Sequence, residues 1–165
     1  MAALPVDTLA PDFALPAMNG TQFHLRDALT RGPVLAVFFK ISCPVCQYAL
    51  PFVERIYNAY GRGNLTIVGV SQNDQKATAA FMREYGITFP LLLDERSTYP
   101  VSNAYGLTNV PTMFWIGQDG NIDISCVGWS RADMEEMNRR ASGKTGEAAS
   151  PIFRPDEKIA DFRAG

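Results

Sequence analysis

A six-residue run without a polar side chain, Val34-Leu-Ala-Val-Phe-Phe39, stops just short of a Cys43-Pro44-Val45-Cys46 pair, and beyond the pair the hydrophobic period changes. A continuous apolar run of that length suits a strand buried on both faces of a sheet. After Pro44 the apolar positions Val45, Ala49, Phe52 or Val53, Ile56 and Tyr60 recur at steps of three and four, with Glu54, Arg55 and Asn58 on the opposite side. That spacing predicts an amphipathic helix beginning at the cysteines. A strand, a short loop and a helix opening on Cys-x-x-Cys confine the chain to an α/β design with two thiols at one strand-to-helix junction.

The remaining sequence supplies the rest of that design. Asn19-Gly20 between Phe13–Leu15 and Gln22–Leu25 predicts an N-terminal β-hairpin. Gly61 and Gly63 close the first helix, and Leu65–Ser71 reads as a second buried strand. Asn73 or Asp74 starts a helix through Tyr85 that ends at Gly86. Phe89–Leu93 is expected as an edge strand because Pro90 donates no ladder hydrogen bond, and Val101–Tyr105 as a short helix. Val110–Ile116 and Ile122–Val127 around a Gly-containing turn predict an antiparallel pair, followed by a helix over Arg131–Ala141. The βαβα alternation implies parallel pairing with right-handed crossovers, so the expectation is a central mixed β-sheet with helices on both faces.

With 165 residues, 47% of them hydrophobic, the chain suffices for one substantial core. Residues 1–144 are expected to form that domain and residues 145–165 a tail. Ile152, Phe153, Ile159 and Phe162 imply that the tail packs on the domain or on a partner subunit, with Phe153 and Phe162 expected to cover apolar surface of the same chain or of a homodimer interface. Fifteen Lys and Arg against 17 Asp and Glu give no electrostatic reason to expect nucleic acid or an anionic membrane. The opening Met-Ala-Ala-Leu-Pro-Val-Asp lacks a basic region and an apolar run, and no stretch approaches a bilayer-spanning length, which leads to the expectation of a cytoplasmic protein without a membrane partner.

Three cysteines do not make a disulfide scaffold, but a spaced pair at a helix start suits redox chemistry. The backbone N–H groups of the first turn favour a thiolate at Cys43, and Pro44 needs no N–H partner there. Cys43 is therefore the expected attacking sulfur. Cys46, one turn on, is placed to resolve a mixed disulfide formed on it. Half a zinc site, with His24 and Cys126 as the remaining candidates, and an inert structural disulfide are the competing readings. Cys126, in an alternating stretch with Ile122 and Ile124, reads as a small core residue, with a regulatory or dimer-forming thiol as the alternative. His24 reads as a half-exposed hairpin residue.

The combination of Ala10-Pro-Asp-Phe13 with Asn19-Gly-x-x-Phe-x-Leu25, the segment Phe38-Phe-Lys-Ile-Ser-Cys-Pro-Val-Cys46 and the loop Gly106-Leu-Thr-Asn-Val-Pro-Thr112 resembles the thioredoxin-like superfamily. Within it the chain is similar to the branch of TlpA- and ResA-like thiol-disulfide oxidoreductases and AhpC/TSA redoxins, from about Pro11 to Ala141. The resemblance implies a thioredoxin-like fold, a cis peptide at Pro111 lying against the cysteines, and a Val110 backbone that pairs with an extended substrate. Pro44 and Val45 are further expected substrate contacts, and no cofactor and no metal is expected.

The departures concern tuning. Ser42 stands where thioredoxins carry Trp, Val37 where they carry a buried acid, and Lys40 is a tuning candidate if its ammonium turns inward. Ala36 and Lys40 occupy the Pro and Thr/Ser places of the peroxiredoxin pattern. The expected activity is thiol-disulfide exchange on a protein or small-molecule disulfide, with the couple reset by a thiol reductant such as a thioredoxin-type system. Reduction of a hydroperoxide through a Cys43 sulfenic acid resolved by Cys46 is the alternative. A catalytically silent binding module is a third reading, and monomer and homodimer stay open.

Overall fold

The computed structural model describes residues 2–145 and 149–165. Strands β1 (Ala14–Pro16) and β2 (Gln22–His24) form the expected hairpin, and a short helix α1 (Leu25–Leu29) follows directly. The main sheet uses β3 (Val34–Phe39), β4 (Thr66–Ser71), β5 (Leu91–Leu93), β6 (Thr112–Ile116) and β7 (Ile122–Val127), in the order β5-β4-β3-β6-β7. Helices α2 (Pro44–Tyr60) and α3 (Gln75–Tyr85) connect β3 to β4 and β4 to β5, α4 (Pro100–Ala104) precedes β6, and α5 (Arg131–Thr145) follows β8 (Trp129–Ser130). The last strand, β9 (Phe162–Arg163), pairs antiparallel with β8.

The all-apolar run at 34–39 takes the sheet's centre because both of its faces are covered. Leu35, Val37 and Phe39 point into one core with Ala49, Val53 and Ile56 of α2 and Met134 and Met137 of α5. Val34, Ala36 and Phe38 point into a second core with Leu25 and Ala28 of α1, Val101 of α4 and Tyr105. The register carries the alternation onto β6, where Trp115 opposite Leu35 and Met113 opposite Val37 join the first core. β3 runs parallel to β4 and antiparallel to β6, giving the mixed thioredoxin-like α/β sheet.

The ends of the elements follow local chemistry. Asp74, not Asn73, caps α3 by accepting the Ala77 N–H at 2.7 Å, and Gly86 ends it at φ +67°. β5 lies at an edge of the sheet. The buried Glu54 side chain ties α2 to the approach to β5. Its Oε2 accepts the Thr88 N–H at 2.9 Å and the Phe89 N–H at 3.2 Å, and its Oε1 accepts the Thr88 hydroxyl. Two details depart from the sequence reading. Leu25 opens α1 instead of extending β2, its apolar side joined by Ala28 and Leu29, and α5 runs past Ala141 to Thr145.

Of the expected tail, Thr145 belongs to the end of α5, and residues 146–148 lie outside the described residues. From residue 149 the chain runs across α5 and α2. Asn138 donates to the Ser150 carbonyl at 2.8 Å, Arg55 to the Ile152 carbonyl at 2.9 Å, and the Arg55 guanidinium meets both carboxylate oxygens of Glu157 at 2.7 and 2.8 Å. The Phe153 ring packs on Phe52 and Trp129, with centroids 5.3 and 6.0 Å away. Phe162 is 64% exposed.

Candidate active site

The site forms where the central strand ends. After β3, the loop Lys40-Ile-Ser42 turns the chain so that Cys43 becomes the N-cap of α2, with extended backbone angles and Pro44 at the first helical position. Proline fits there because that residue's N–H would have no intrahelical partner. The Cys43 thiol accepts the Cys46 N–H at 3.3 Å, as an Asp or Ser N-cap would, and donates to the Val110 carbonyl at 3.3 Å. Its main chain is held by N–H donation to the Lys40 carbonyl at 3.3 Å and by acceptance of the Gln47 N–H at 3.0 Å.

The two cysteines differ in environment. Cys43 is half-buried at the surface, whereas Cys46 is fully buried beneath it, and both are free thiols. Burial pushes the Cys46 thiol far up from its ordinary acidity, and the neighbouring Cys43 thiol pushes the same way. The junction thus presents one sulfur aimed outward and a second that keeps its proton beneath it.

Val110 and Pro111 come to this site from the opposite side, through the loop that leads into β6. The Val110–Pro111 peptide is cis, Pro111 is buried, and the Pro111 carbonyl accepts the Gly128 N–H at 2.7 Å. Pro44 is exposed and Val45 half-buried on the outer surface of the helix start. Lys40 and Ser42 are exposed, and neither side chain hydrogen-bonds a cysteine among the described residues. Cys126 lies in β7 opposite Met113, 2% exposed, with its thiol 3.7 Å from the Gly128 carbonyl. Burial first, and then the Asp133 carboxylate, push its thiol up to about 12. His24 is exposed at the hairpin end. Among the described residues no three His, Cys, Asp or Glu side chains converge as a metal site would require.

Two residues that sequence reasoning did not assign to the site support it. Asn73 Oδ1 accepts the Ile41 N–H at 2.9 Å, and Gln47 Nε2 donates to the Ile41 carbonyl at 2.9 Å. The peptide groups on either side of Ile41, in the loop between β3 and the cysteines, are therefore held from α2 and from the end of β4. Asn73 had a visible local role as a helix-start residue, which masked its reach across the sheet top, and a lone Gln inside a helix carries no signal of its own.

Comparison with known proteins places this geometry. The model of the AhpC/TSA family matches residues 6–125. The thiol-disulfide oxidoreductase ResA of Geobacillus thermodenitrificans (strain NG80-2) is 31% identical over 121 residues, covering 73% of this chain and 68% of that protein. ResA of Bacillus subtilis (strain 168) is 32% identical over 139 residues, covering 82% and 76%. The crystal structure of a thiol:disulfide interchange protein of the thioredoxin family from Chlorobium tepidum TLS superposes with a TM-score of 0.68 at 26% identity, over 85% of this chain and 99% of that one.

This similarity corrects the cytoplasmic setting expected from the opening residues, because oxidoreductases of the ResA type are characteristically extracytoplasmic. A reactive dithiol serves in either compartment, and the composition of the first residues bears on neither. Among the described residues no helix is long and apolar enough to cross a membrane.

Proposed function

The chain belongs to the AhpC/TSA family and carries a thiol-disulfide oxidoreductase site at Cys43 and Cys46, and on that premise we propose the following division of labour. Cys43, as a thiolate, attacks one sulfur of a substrate disulfide, forming a mixed disulfide and expelling the other half as a thiolate that takes up a proton. Cys46 then loses its proton, attacks the Cys43 sulfur and expels the second half. Two electrons leave the protein dithiol, the substrate becomes two thiols, and the protein is left with a Cys43–Cys46 disulfide.

One observation carries the order of events. The first-turn N–H of Cys46 points at the Cys43 sulfur, where it stabilises negative charge, while burial keeps the Cys46 sulfur protonated until the mixed disulfide forms above it. Pro44 and Val45 on the helix side, and Val110 and Pro111 on the loop side, form the surface against which the substrate disulfide lies. Any chain flanking a substrate cysteine must pass Val110, since its carbonyl already touches the attacking sulfur. Lys40 and Ser42, exposed before the cysteine, border this surface.

In this reading residues 1–144 are the redox domain and residues 145–165 its tail, of which the described part from residue 149 onward lies across α5 and α2. A thiol reductant such as a thioredoxin-type system restores the dithiol. All the groups named lie in one chain, so the mechanism serves a monomer or a homodimer alike. Disulfide exchange is favoured over hydroperoxide reduction because Ala36 is a buried strand residue and Lys40 an exposed one, so neither brings a hydroxyl to the Cys43 sulfur.

The test is single-turnover reaction of the reduced protein with a model disulfide. The reading expects two product thiols per chain and loss of both the Cys43 and Cys46 thiols. Product formation that stops at one thiol, or rapid hydroperoxide consumption without disulfide exchange, would overturn it.

A further inference from the structure

The segment 161–165 lies on the same loop that presents Val110 to Cys43. Its course is fixed by successive contacts. Trp129 Nε1 donates to the Ala160 carbonyl at 2.6 Å, the Arg131 N–H donates to the Asp161 carbonyl at 2.9 Å, and Phe162 and Arg163 pair with Ser130 and Trp129. The Arg163 guanidinium then covers the Tyr48 ring at 4.1 Å, two residues beyond Cys46, and Asn109 Nδ2 holds the Gly165 carbonyl at 3.1 Å.

The approach is so close that glycine is needed at both meeting points. A Cβ on Gly128, whose φ is +76°, would lie 2.3 Å from the Arg163 carbonyl oxygen and 2.9 Å from the Gly165 nitrogen. A Cβ on Gly165 would lie 2.5 Å from the Val110 carbonyl oxygen, the atom that accepts the Cys43 thiol. One carbonyl group therefore stands between the segment and the reacting sulfur. All five residues of the segment are exposed.

Resting on the oxidoreductase reading above, we propose that residues 161–165 form a specificity strap. It occupies the Asn109–Val110 side of the site, along which an extended polypeptide would have to lie to bring its disulfide to Cys43. A compact low-molecular-weight disulfide reaches the half-exposed sulfur past Pro44 and Val45 with the strap in place. A polypeptide reacts only after the strap has peeled from β8 and Asn109. The strap contributes nothing to the chemistry and selects by size.

The experiment compares the full chain with a variant ending at Ala160, using bis(2-hydroxyethyl) disulfide and insulin as substrates and dithiothreitol as the regenerating thiol. Removal of the strap should raise kcat/KM for insulin about ten-fold, equivalent to about 1.4 kcal/mol of strap contacts no longer displaced, and leave the small disulfide within about two-fold. The double variant Asn109→Ala/Arg163→Ala keeps every backbone atom, removes two of the side-chain anchors and should shift the same ratio in the same direction. That variant decides the matter if the shortened chain does not fold. An unchanged insulin-to-small-disulfide ratio in both variants, or equal rises for both substrates, overturns the strap alone. Absence of turnover of either disulfide by the full chain overturns the oxidoreductase reading on which it rests.

Discussion

Replacing Glu54 with alanine tests whether α2, and with it the cysteine pair, is anchored as described. Glu54 is 6% exposed, and its carboxyl group accepts three hydrogen bonds from the residues ahead of β5. Alanine leaves the Phe89 N–H without a partner in a residue that is fully buried, whereas the Thr88 N–H and hydroxyl belong to an exposed residue and regain water. A buried donor left unpaired costs about 1–3 kcal/mol and a partly rehydrated one less, so Glu54→Ala should destabilise by about 3 kcal/mol. For a chain of this size that corresponds to a fall in Tm of about 6–12 °C. Glu54→Gln, with its amide oxygen in the place of Oε2, keeps the acceptor for both N–H groups, gives up only the one for the exposed Thr88 hydroxyl and should lose about 1 kcal/mol. Urea unfolding followed by circular dichroism measures both variants, with disulfide reduction at low temperature retained. The reasoning fails if the alanine variant lies within about 0.5 kcal/mol of the parent, the ordinary scatter of surface substitutions, or if glutamine costs as much as alanine.

The Arg55 guanidinium holds the Glu157 carboxyl down at about 2, below the ordinary value of about 4.3. The stabilisation this pair lends is complete above the unfolded value and disappears as pH falls through the folded one, so pepsin cleavage within 149–165 should rise between about pH 4.3 and 2. In Glu157→Gln that pH dependence should vanish, and a parent profile that is flat would count against the pairing. Phe153→Ala strips the ring from Phe52 and Trp129 and, because the residue is only half-buried, should cost about 2 kcal/mol in the same urea assay. Maleimide labelling of the native reduced protein near neutral pH should modify Cys43 and spare Cys126 until denaturant is added; native labelling of Cys126 would contradict its burial.

The parts of this fold that could be read in advance are those in which one short stretch of sequence determines its own environment. Val34–Phe39 has no polar side and so suited a central strand covered on both faces. The change of period after Pro44 marked α2, and Asn19-Gly20 marked the hairpin. The cis peptide before Pro111 was a different matter, since a Val-Pro pair alone favours trans, and only the resemblance carried by the surrounding loop pointed to it.

What escaped the sequence depends on distant partners. Asn73 and Gln47 are 26 positions apart and meet through the peptide groups flanking Ile41, which no local pattern announces. α1 is too short to show a helical period, and β9 exists only because Trp129 and Ser130 offer it an edge. The tail's apolar residues point to both Phe153 and Phe162 as covering apolar surface, and within this chain only Phe153 does so. Phe153 turns inward onto Phe52 and Trp129, whereas Phe162 of β9, paired with Ser130 of β8, stays exposed.

Capturing the intermediate shows whether Cys43 attacks and Cys46 resolves. Reduced Cys46→Ser protein is mixed with a disulfide-containing peptide, and the adduct is mapped by non-reducing proteolysis and mass spectrometry. The expected product is one peptide thiol joined to Cys43, stable until a reductant is added, with no adduct in Cys43→Ser. An adduct on Cys126, or equal trapping by Cys46 when Cys43 is replaced, would contradict it.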